Sequence, residues 1–308
     1  MKKIMKYRYL FLVIIFALVN SDLKARDSGT QILKWDELPD LPNIRGVAGA
    51  FSGVSNDVLI VAGGTNFPQP LFKDGQVNPQ AKKTWYDEVY VLKSQSNKWQ
   101  KVESLPHPLG YGASVTTTDG LVAIGGSNAT KHFSDVLLLE FIDGSIKRTP
   151  LPPLPSPVAN TAAALLENTI YVAGGQASPY SKKEMKNFWA LDSFEENPSW
   201  HILEPWPGPG RILPVVAVQD GSFFLFSGCE ILTDENENVS RKYLTDGYRF
   251  TPNRGKAVTG QWKKTADAPL PVAGAPTPAV AAGQTHILVF GGDHGKYAAR
   301  TFELMDKH

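Results

Sequence analysis

The chain has 308 residues, of which 42% are hydrophobic and 20% are charged, and its formal net charge is +1. This composition is that of an ordinary globular protein and excludes a disordered or collagen-like chain. The nearly balanced charge argues against a nucleic-acid partner, because neutralising phosphates requires a basic patch.

The N-terminus predicts a secretory signal peptide. Four basic residues within the first eight precede an apolar run at residues 10–19, and Ala25 offers a small residue at the cleavage site. An apolar run of this length is too short to span a bilayer. We therefore predict a signal peptide at residues 1–25 and a soluble, periplasmic mature protein at residues 26–308, with a formal charge of about −3 and no membrane contact after cleavage.

One sequence unit recurs along the rest of the chain. Its first copy, GVAGAFSGVSNDVLIVAGGTN at residues 46–66, joins two β-forming segments through a Ser-Asn-Asp turn and ends in a glycine pair. The five copies place the first residue of the pair, which is a serine in the fourth copy, at positions 63, 125, 174, 227 and 291. A period near fifty with a diglycine after the second strand predicts kelch-type propeller blades, each a four-stranded antiparallel sheet.

Four blades are predicted to be complete. Their third strands are expected at residues 87–92, 134–141, 187–192 and 245–250, and their outer strands at residues 98–105, 146–155, 199–208 and 261–271. Trp99, Trp200 and Trp262 occupy one equivalent place in three of the outer strands. We expect these tryptophans to pack between neighbouring blades, since they bury large apolar areas.

The two ends of the propeller region are irregular. Residues 34–39, KWDELP, have the signature of an outer strand that no inner strands precede, and the fifth copy ends after Gly291-Gly292 without a convincing third or fourth strand. Because propellers close their ring by letting one terminus complete the blade begun by the other, Trp35 is expected to complete a sixth blade that these 308 residues lack. This predicts a chain shortened at its C-terminal end; the alternative is a five-bladed ring closed by Trp35.

Several blocks carry a family resemblance. The blocks WDELPDLP, GVAGAFSGVSNDVLIVAGGTNFP, KTWYDEVYVL and GYGASV resemble the sialic acid (N-acetylneuraminate) mutarotases, which are exported six-bladed kelch proteins. In the better-known members these blocks lie in the C-terminal half, so the chain is similar to a cyclically permuted branch. The resemblance covers essentially the whole mature chain, most strongly up to about residue 130. It implies an isomerase that converts the α anomer of N-acetylneuraminate to the β anomer.

The implied reaction needs a base, an acid for the ring oxygen and a cation for the substrate carboxylate. In the family a G-E-x-K-P-G-x-R-T-D stretch supplies a glutamate and an arginine, in the blade before the strand that matches Trp35, and here that blade is the missing one. Glu230 with Arg241 is a weak substitute, because the two lie eleven positions apart rather than six. The alternative is a loop carboxylate and a solvated arginine, which would leave this chain inactive.

The antiparallel blade predicts where a ligand would bind. The loop that leads into the first strand (the leading loop) and the loop between the second and third strands (the internal loop) lie at the same end of the ring, and variable loops on a regular scaffold build specificity. The predicted substrate contacts are Arg45, Tyr111 and Arg211 on leading loops, and Asn66 and Phe67 on the first internal loop. For the two arginines the alternative is an ion pair with a neighbouring loop, and for Phe67 it is loop packing.

Other functions fit less well. His294 follows Asp293, but the 6 histidines are scattered, so we expect no metal and no cofactor. A sialidase needs repeated S-x-D-x-G-x-x-W turns, and no such turn occurs here. A kelch copper oxidase needs a cysteine crosslinked to tyrosine together with histidine ligands; the single cysteine, Cys229, and the scattered histidines argue against it. A non-catalytic kelch propeller that binds glycan or protein remains the main alternative, since fold does not fix function.

Overall fold

The computed structural model describes residues 35–43, 45–192 and 197–296, so the predicted signal peptide lies outside the described residues. The chain divides into two compact units, residues 1–38 and residues 39–308. Of the first unit, residues 35–38 are described; they do not form a strand, and the side chain of Trp35 is exposed. Within the described ranges, no helix is long and apolar enough to cross a membrane.

The first blade is a complete four-stranded antiparallel sheet. Its strands, from the inside outward, are β1 (Phe51–Ser55), β2 (Val58–Ala62), β7 (Val89–Lys93) and β8 (Gln100–Val102). The first hairpin turns at Asn56 and Asp57, both with positive φ, which is the type I′ geometry expected of a two-residue loop. The long internal loop carries two short ribbons, β3 (Thr65–Asn66) with β6 (Thr84–Trp85), and β4 (Phe72–Lys73) with β5 (Gln76–Val77).

Blades two, three and four repeat the same strand order. The strands of blade two are β9 (Ala113–Thr116), β10 (Leu121–Ile124), β11 (Val136–Ile142) and β12 (Ser145–Leu151). The strands of blade three are β13 (Ala162–Leu166), β14 (Thr169–Ala173), β15 (Phe188–Asp192) and β16 (Trp200–Ile202). The strands of blade four are β17 (Val215–Gln219), β18 (Ser222–Phe226), β21 (Gly247–Asn253) and β22 (Lys256–Lys264), with the hairpin β19 (Cys229–Thr233) and β20 (Val239–Tyr243) in its internal loop.

The fifth blade contains an inner hairpin among the described residues. Its strands are β23 (Val280–Ala282) and β24 (His286–Leu288). The innermost strands β1, β9, β13, β17 and β23 pack side by side in that order, and a parallel bridge joins Ala217 to Ala279. The predicted all-β kelch propeller, with four complete blades and a partial fifth, is therefore confirmed.

The hydrophobic core lies between blades rather than inside one of them. Phe51 and Ile60 of blade one share a cluster with Leu121 and Leu139 of blade two. A similar layer joins blades three and four, where Phe188 and Trp262 meet edge to face at 4.8 Å between ring centres. Fully burying a side chain of this size contributes about 1.5–3 kcal/mol, so each blade depends on its neighbour for stability.

The diglycines mark the closest approach of neighbouring blades. In each of the first four blades the amide of the second glycine donates a 2.8 Å hydrogen bond to a carbonyl that precedes the next blade; the pairs are Gly64 with Leu109, Gly126 with Val158, Gly175 with Arg211, and Gly228 with Val272. A Cβ on Gly63, Gly125 or Gly174 would lie 2.2, 2.6 or 2.5 Å from the same carbonyl oxygens. Glycine is therefore needed for this approach as well as for its positive φ.

The outer-strand tryptophans also connect blades, as predicted. The indole N–H groups of Trp99, Trp200 and Trp262 donate to the carbonyls of Pro39, Pro152 and Glu204. Pro39 follows Trp35 by four residues, just as Glu204 follows Trp200. Residues 35–41 do not form the outer strand predicted at residues 34–39. The Pro39 carbonyl nevertheless accepts the indole hydrogen bond of Trp99, as a carbonyl just after an outer strand does for Trp200 and Trp262.

The diglycine contact leads to a stability prediction. We expect Gly63→Ala to lower the free energy of unfolding by more than about 2 kcal/mol, because the new methyl group collides with the Leu109 carbonyl. Gly221→Ala is the matched control: its φ of 61° is close to the 63° of Gly63, and a Cβ there meets nothing within 4 Å. For the control we expect the free energy of unfolding, measured by denaturant titration, to fall by about 1 kcal/mol. Equal losses for both variants would contradict the close-contact explanation.

Candidate functional site

A chain of backbone hydrogen bonds lines one end of the central channel. Each leading loop has a residue in the left-handed conformation at an equivalent place; these residues are Gly49, Tyr111, Asn160, Leu213 and Gly274, with φ between 52° and 65°. The amide of each of the last four donates to the carbonyl of the one before it, at 2.8, 2.8, 2.7 and 3.3 Å. This conformation costs tyrosine and leucine about 1–2 kcal/mol, so the hydrogen bonds and the packing of the ring must offset that strain.

These loops surround a cavity of about 450 Å³. Its lining comes from the leading loops of all five blades and consists of residues 47–50, 52, 111–114, 160–161, 213–214 and 274–277, none of them charged. Deeper in the channel the hydroxyls of Ser114, Thr116 and Thr277 accept hydrogen bonds from the amides of Ser52, Val54 and Val216, and so satisfy the inner strand edges. A cavity of this size, with polar residues at positions 52, 111, 114, 160, 161 and 277 of its lining, suits a small polar ligand.

The internal loops lie at the same end as this cavity, as predicted. In every blade the residue after the glycine pair forms a bridge with a leading loop; the pairs are Ala48 with Thr65, Gly110 with Ser127, Ala159 with Gln176, Ile212 with Cys229, and Ala273 with Asp293. Asp293 is the one carboxylate in this set of five. The position after the diglycine is thus a sequence signal for residues at the mouth of the channel.

Tyr111 is the predicted substrate contact that the structure places in the cavity lining. Its hydroxyl accepts a 3.1 Å hydrogen bond from Thr65, and its ring packs against Gly49, where a Cβ would come within 2.6 Å. The ammonium of Lys83, a residue that the sequence analysis did not single out, lies 4.0 Å from the centre of the ring.

Asn66 holds the first leading loop against the first internal loop. Its Nδ2 donates to the side chain of Asn43 and to the Gly46 carbonyl, at 2.9 and 2.7 Å, and its Oδ1 accepts a 2.7 Å hydrogen bond from Tyr86. Neither Arg45, which is exposed, nor Phe67, which is half-buried, belongs to the cavity lining. The geometry therefore gives Asn66 a positioning role behind the cavity.

Arg211 was predicted to face the ligand, but it is fully buried. Its guanidinium pairs with Asp246 at 2.9 Å, donates to the Ser227 carbonyl at 2.9 Å, and lies over the rings of Trp206 and Tyr248. Burial and the hydrogen bond that Tyr248 donates to Asp246 raise the pKa of this tyrosine to about 12. The structure thus shows the alternative expected for Arg211, an ion pair with a neighbouring loop, here through Asp246. The Arg211 side chain lies between Trp206 of blade three and Tyr248 of blade four.

Glu230 and Arg241 are not brought together. In the β19–β20 hairpin Glu230 is paired with Lys242, and Arg241 is paired with Ile231, so the two side chains project from opposite faces of the ribbon. Glu230 instead forms a 3.0 Å ion pair with Lys242. The structure therefore does not form the predicted substitute dyad, because the register of this hairpin places Glu230 and Arg241 on opposite faces.

A different acid group lies beside the cavity. Asp293 is bonded through its backbone to Ala273, next to the lining segment, and its carboxylate accepts hydrogen bonds from the Tyr243 hydroxyl and the Gly295 amide. Burial alone would raise the pKa of Asp293, but these hydrogen bonds and the nearby positive charge of Arg241 hold it below its ordinary value. Burial, and the bond to Asp293, raise the pKa of Tyr243. The pair thus consists of an ionised carboxylate and a protonated phenol.

His132 is a second buried group at this end that the sequence analysis missed. Its Nδ1 lies 2.8 Å from the Gln176 carbonyl, and the Gln176 side chain accepts a 3.1 Å hydrogen bond from Asn160. The internal loops of blades two and three are thereby tied to a residue of the cavity lining. Among the residues that the structure describes, no group of three or more His, Cys, Asp or Glu side chains could hold a metal ion.

Together these features define a kelch-type β-propeller with a small polar cavity at one end of its channel. The solved structure of YjhT has the same fold: it aligns with a TM-score of 0.67 at 15% identity and covers 85% of this chain and 82% of its own. A sequence profile of the N-acetylneuraminate epimerase family matches residues 16–147 and 151–305. The chain belongs to this family, which confirms the family resemblance.

Curated relatives with this family name match one part of the chain. The N-acetylneuraminate epimerase of Salmonella arizonae is 42% identical over 122 residues, which is 37% of this chain and 31% of the relative. Those of Vibrio cholerae and Yersinia enterocolitica are 40% and 39% identical over 121 and 116 residues, which is 36% and 34% of this chain. In these alignments the chain spans less than a third of the length of each relative, namely 31%, 31% and 29%.

The buried ion pair predicts a large stability effect. We expect Arg211→Met to lower the free energy of unfolding by about 3 kcal/mol, because it leaves Asp246 without its charge partner in a protected site. In Lys242→Met, which removes the exposed partner of Glu230, the expected loss is below about 1 kcal/mol. Denaturant titration compares the two variants. An Arg211 variant as stable as the parent would show that the ion pair with Asp246 does not stabilise the fold.

His132 predicts a pH effect on stability. Burial lowers the pKa of His132 in the folded protein, although the hydrogen bond to Gln176 opposes this, so the unfolded chain binds the proton more readily. Stability should therefore fall as the pH drops through about 6.5, the ordinary range of histidine. Melting temperatures at pH 7.5 and 5.5 should differ less for His132→Gln than for the parent, whereas the exposed control His286→Gln should keep the parental difference.

Proposed function

We propose that this protein interconverts the α and β anomers of N-acetylneuraminate or a closely related sugar acid. The observation that carries the proposal is the family profile, which matches residues 16–147 and 151–305. The cavity of about 450 Å³ at the end of the channel supports it, because a monosaccharide acid is a small polar ligand.

The proposed reaction consists of two proton transfers in each direction. Ring opening removes a proton from the anomeric hydroxyl and delivers one to the ring oxygen, and ring closure reverses both transfers. We propose the carboxylate of Asp293 as the base, since it is ionised and lies next to the lining segment after Ala273. The Tyr243 hydroxyl holds this carboxylate in place through its hydrogen bond.

Proton NMR tests the activity directly. Sialic acid released freshly from a glycoside starts as the α anomer, and the purified protein should accelerate its conversion to the β anomer above the spontaneous rate. No acceleration, together with saturable binding of the sugar, would favour a non-catalytic glycan-binding propeller. No acceleration and no binding would reject the sugar as a ligand.

The proposed base leads to a specific variant. We expect Asp293→Asn to lower kcat by about 100-fold, since a positioned general base contributes roughly 10²–10⁴-fold, while the amide keeps the shape of the side chain. Asp119→Asn is the control, because Asp119 is exposed in the turn between β9 and β10, at the other end of the blade. An Asp293 variant with the parental rate would exclude this carboxylate as the base without touching the proposed activity.

We also propose that the protein acts in the periplasm. The support is the sequence alone: basic residues, the apolar run at residues 10–19 and the small residue Ala25 at the expected cleavage site. Fractionation of cells that express the protein, followed by N-terminal sequencing, would test it; a cytoplasmic product that keeps Met1 would contradict export.

A further inference from the structure

The cavity lining contains no charged side chain, yet the proposed ligand is an anion. Its carboxylate needs a cation at the rim, and of the two arginines predicted for this role Arg211 is buried in an ion pair and Arg45 lies outside the lining. The internal loops reach the same end of the channel and carry further cationic side chains, among them Lys83.

Lys83 also lies outside the lining, but unlike the exposed Arg45 it is half-buried and its ammonium lies beside the ring of a lining residue. It directly precedes β6 in the long internal loop of blade one, and its ammonium lies 4.0 Å from the centre of the Tyr111 ring, which lines the cavity. The ammonium also lies 5.2 Å from the centre of the Trp85 ring. Aromatic faces attract a cation but leave its three N–H donors without an acceptor.

Lys83 has no carboxylate partner and lies next to a second unpaired donor in the described structure. No carboxylate of the described residues forms an ion pair with Lys83, although five other lysines of the described part do have such a partner. The neighbouring Trp85 has a buried indole N–H without a hydrogen-bond partner in the described structure. The ammonium of a half-buried lysine without a counter-ion among the described residues, near the edge of an uncharged cavity, fits an anionic oxygen of a ligand.

The ring of Tyr111 connects Lys83 to the cavity. The φ of 61° at Tyr111 lies in the left-handed region, as does the φ of the equivalent residue in each of the other leading loops. In this conformation the ring lines the cavity, and its centre lies 4.0 Å from the Lys83 ammonium. An anion that enters the cavity beside Tyr111 therefore approaches Lys83.

We propose that Lys83, held over the Tyr111 ring, binds the carboxylate of the sugar acid and makes the site selective for acidic sugars. This role rests on the proposed function, since it assigns the cation that the proposed substrate requires. Lys83 is then a binding residue for the carboxylate rather than the group that transfers protons. The aromatic rings keep its ammonium at the rim in the absence of ligand, so little side-chain ordering remains to be done on binding.

Calorimetric titration with N-acetylneuraminate and with its methyl ester tests this role. We expect Lys83→Gln to weaken binding of the acid about tenfold or more, since a hydrogen bond to a charged group is lost, and to leave binding of the uncharged ester unchanged. Lys83→Arg should restore most of the affinity for the acid. The matched control is Lys82→Gln, because Lys82 is the exposed neighbour in the same loop.

The possible outcomes separate the two proposals. Binding of the acid that survives Lys83→Gln would overturn the role of Lys83 and leave the proposed function intact. An equal loss for acid and ester would also overturn it, since it would show that Lys83 serves to pack Tyr111 and Trp85. Failure of the unmodified protein to bind either sugar would overturn both proposals. Circular dichroism of each variant ensures that a loss of binding is not a loss of folding.

Discussion

The structure depends on the contact between each glycine pair and the next blade. The amide of the second glycine bonds to a carbonyl of the following leading loop, and the first glycine leaves no room for a Cβ beside that carbonyl. Because inner strands have edges that no further strand covers, these bonds and the hydroxyls of the channel take over the role of sheet pairing. Blade four shows one variation: Ser227 replaces the first glycine, and its hydroxyl accepts a hydrogen bond from the Val272 amide.

The same contact sets the geometry of the candidate site. Once the glycine pair fixes where the next leading loop begins, a residue two positions further on must adopt the left-handed conformation and bond to its predecessor. The four residues that do so and Gly49 circle the mouth of the channel and line the cavity. The charged groups lie one layer further out, on the internal loops, where Lys83 and Asp293 reach the rim from different blades.

The arginines show why the site was harder to predict than the fold. Arg45 and Arg211 both stand in leading loops, and the sequence treats them alike, but Arg211 points into the interface between blades while Arg45 is exposed. The difference arises from Asp246 and the rings of Trp206 and Tyr248, which are distant in sequence and meet Arg211 through the packing of blades three and four. Glu230 and Arg241 do not form the predicted dyad for a local reason, since the register of their hairpin places them on opposite faces.

The sequence by itself determined the blades, their order and the family, because strand periodicity, two-residue turns and glycine pairs are local patterns that each blade repeats. It also determined that the leading and internal loops share one end, which follows from antiparallel strand order alone. Only the tertiary structure decided which side chains reach the cavity. Burial and the partner of a charged group depend on residues from neighbouring blades. For this reason Tyr111 and Lys83 meet at the rim, while Arg211 is buried in the interface between blades.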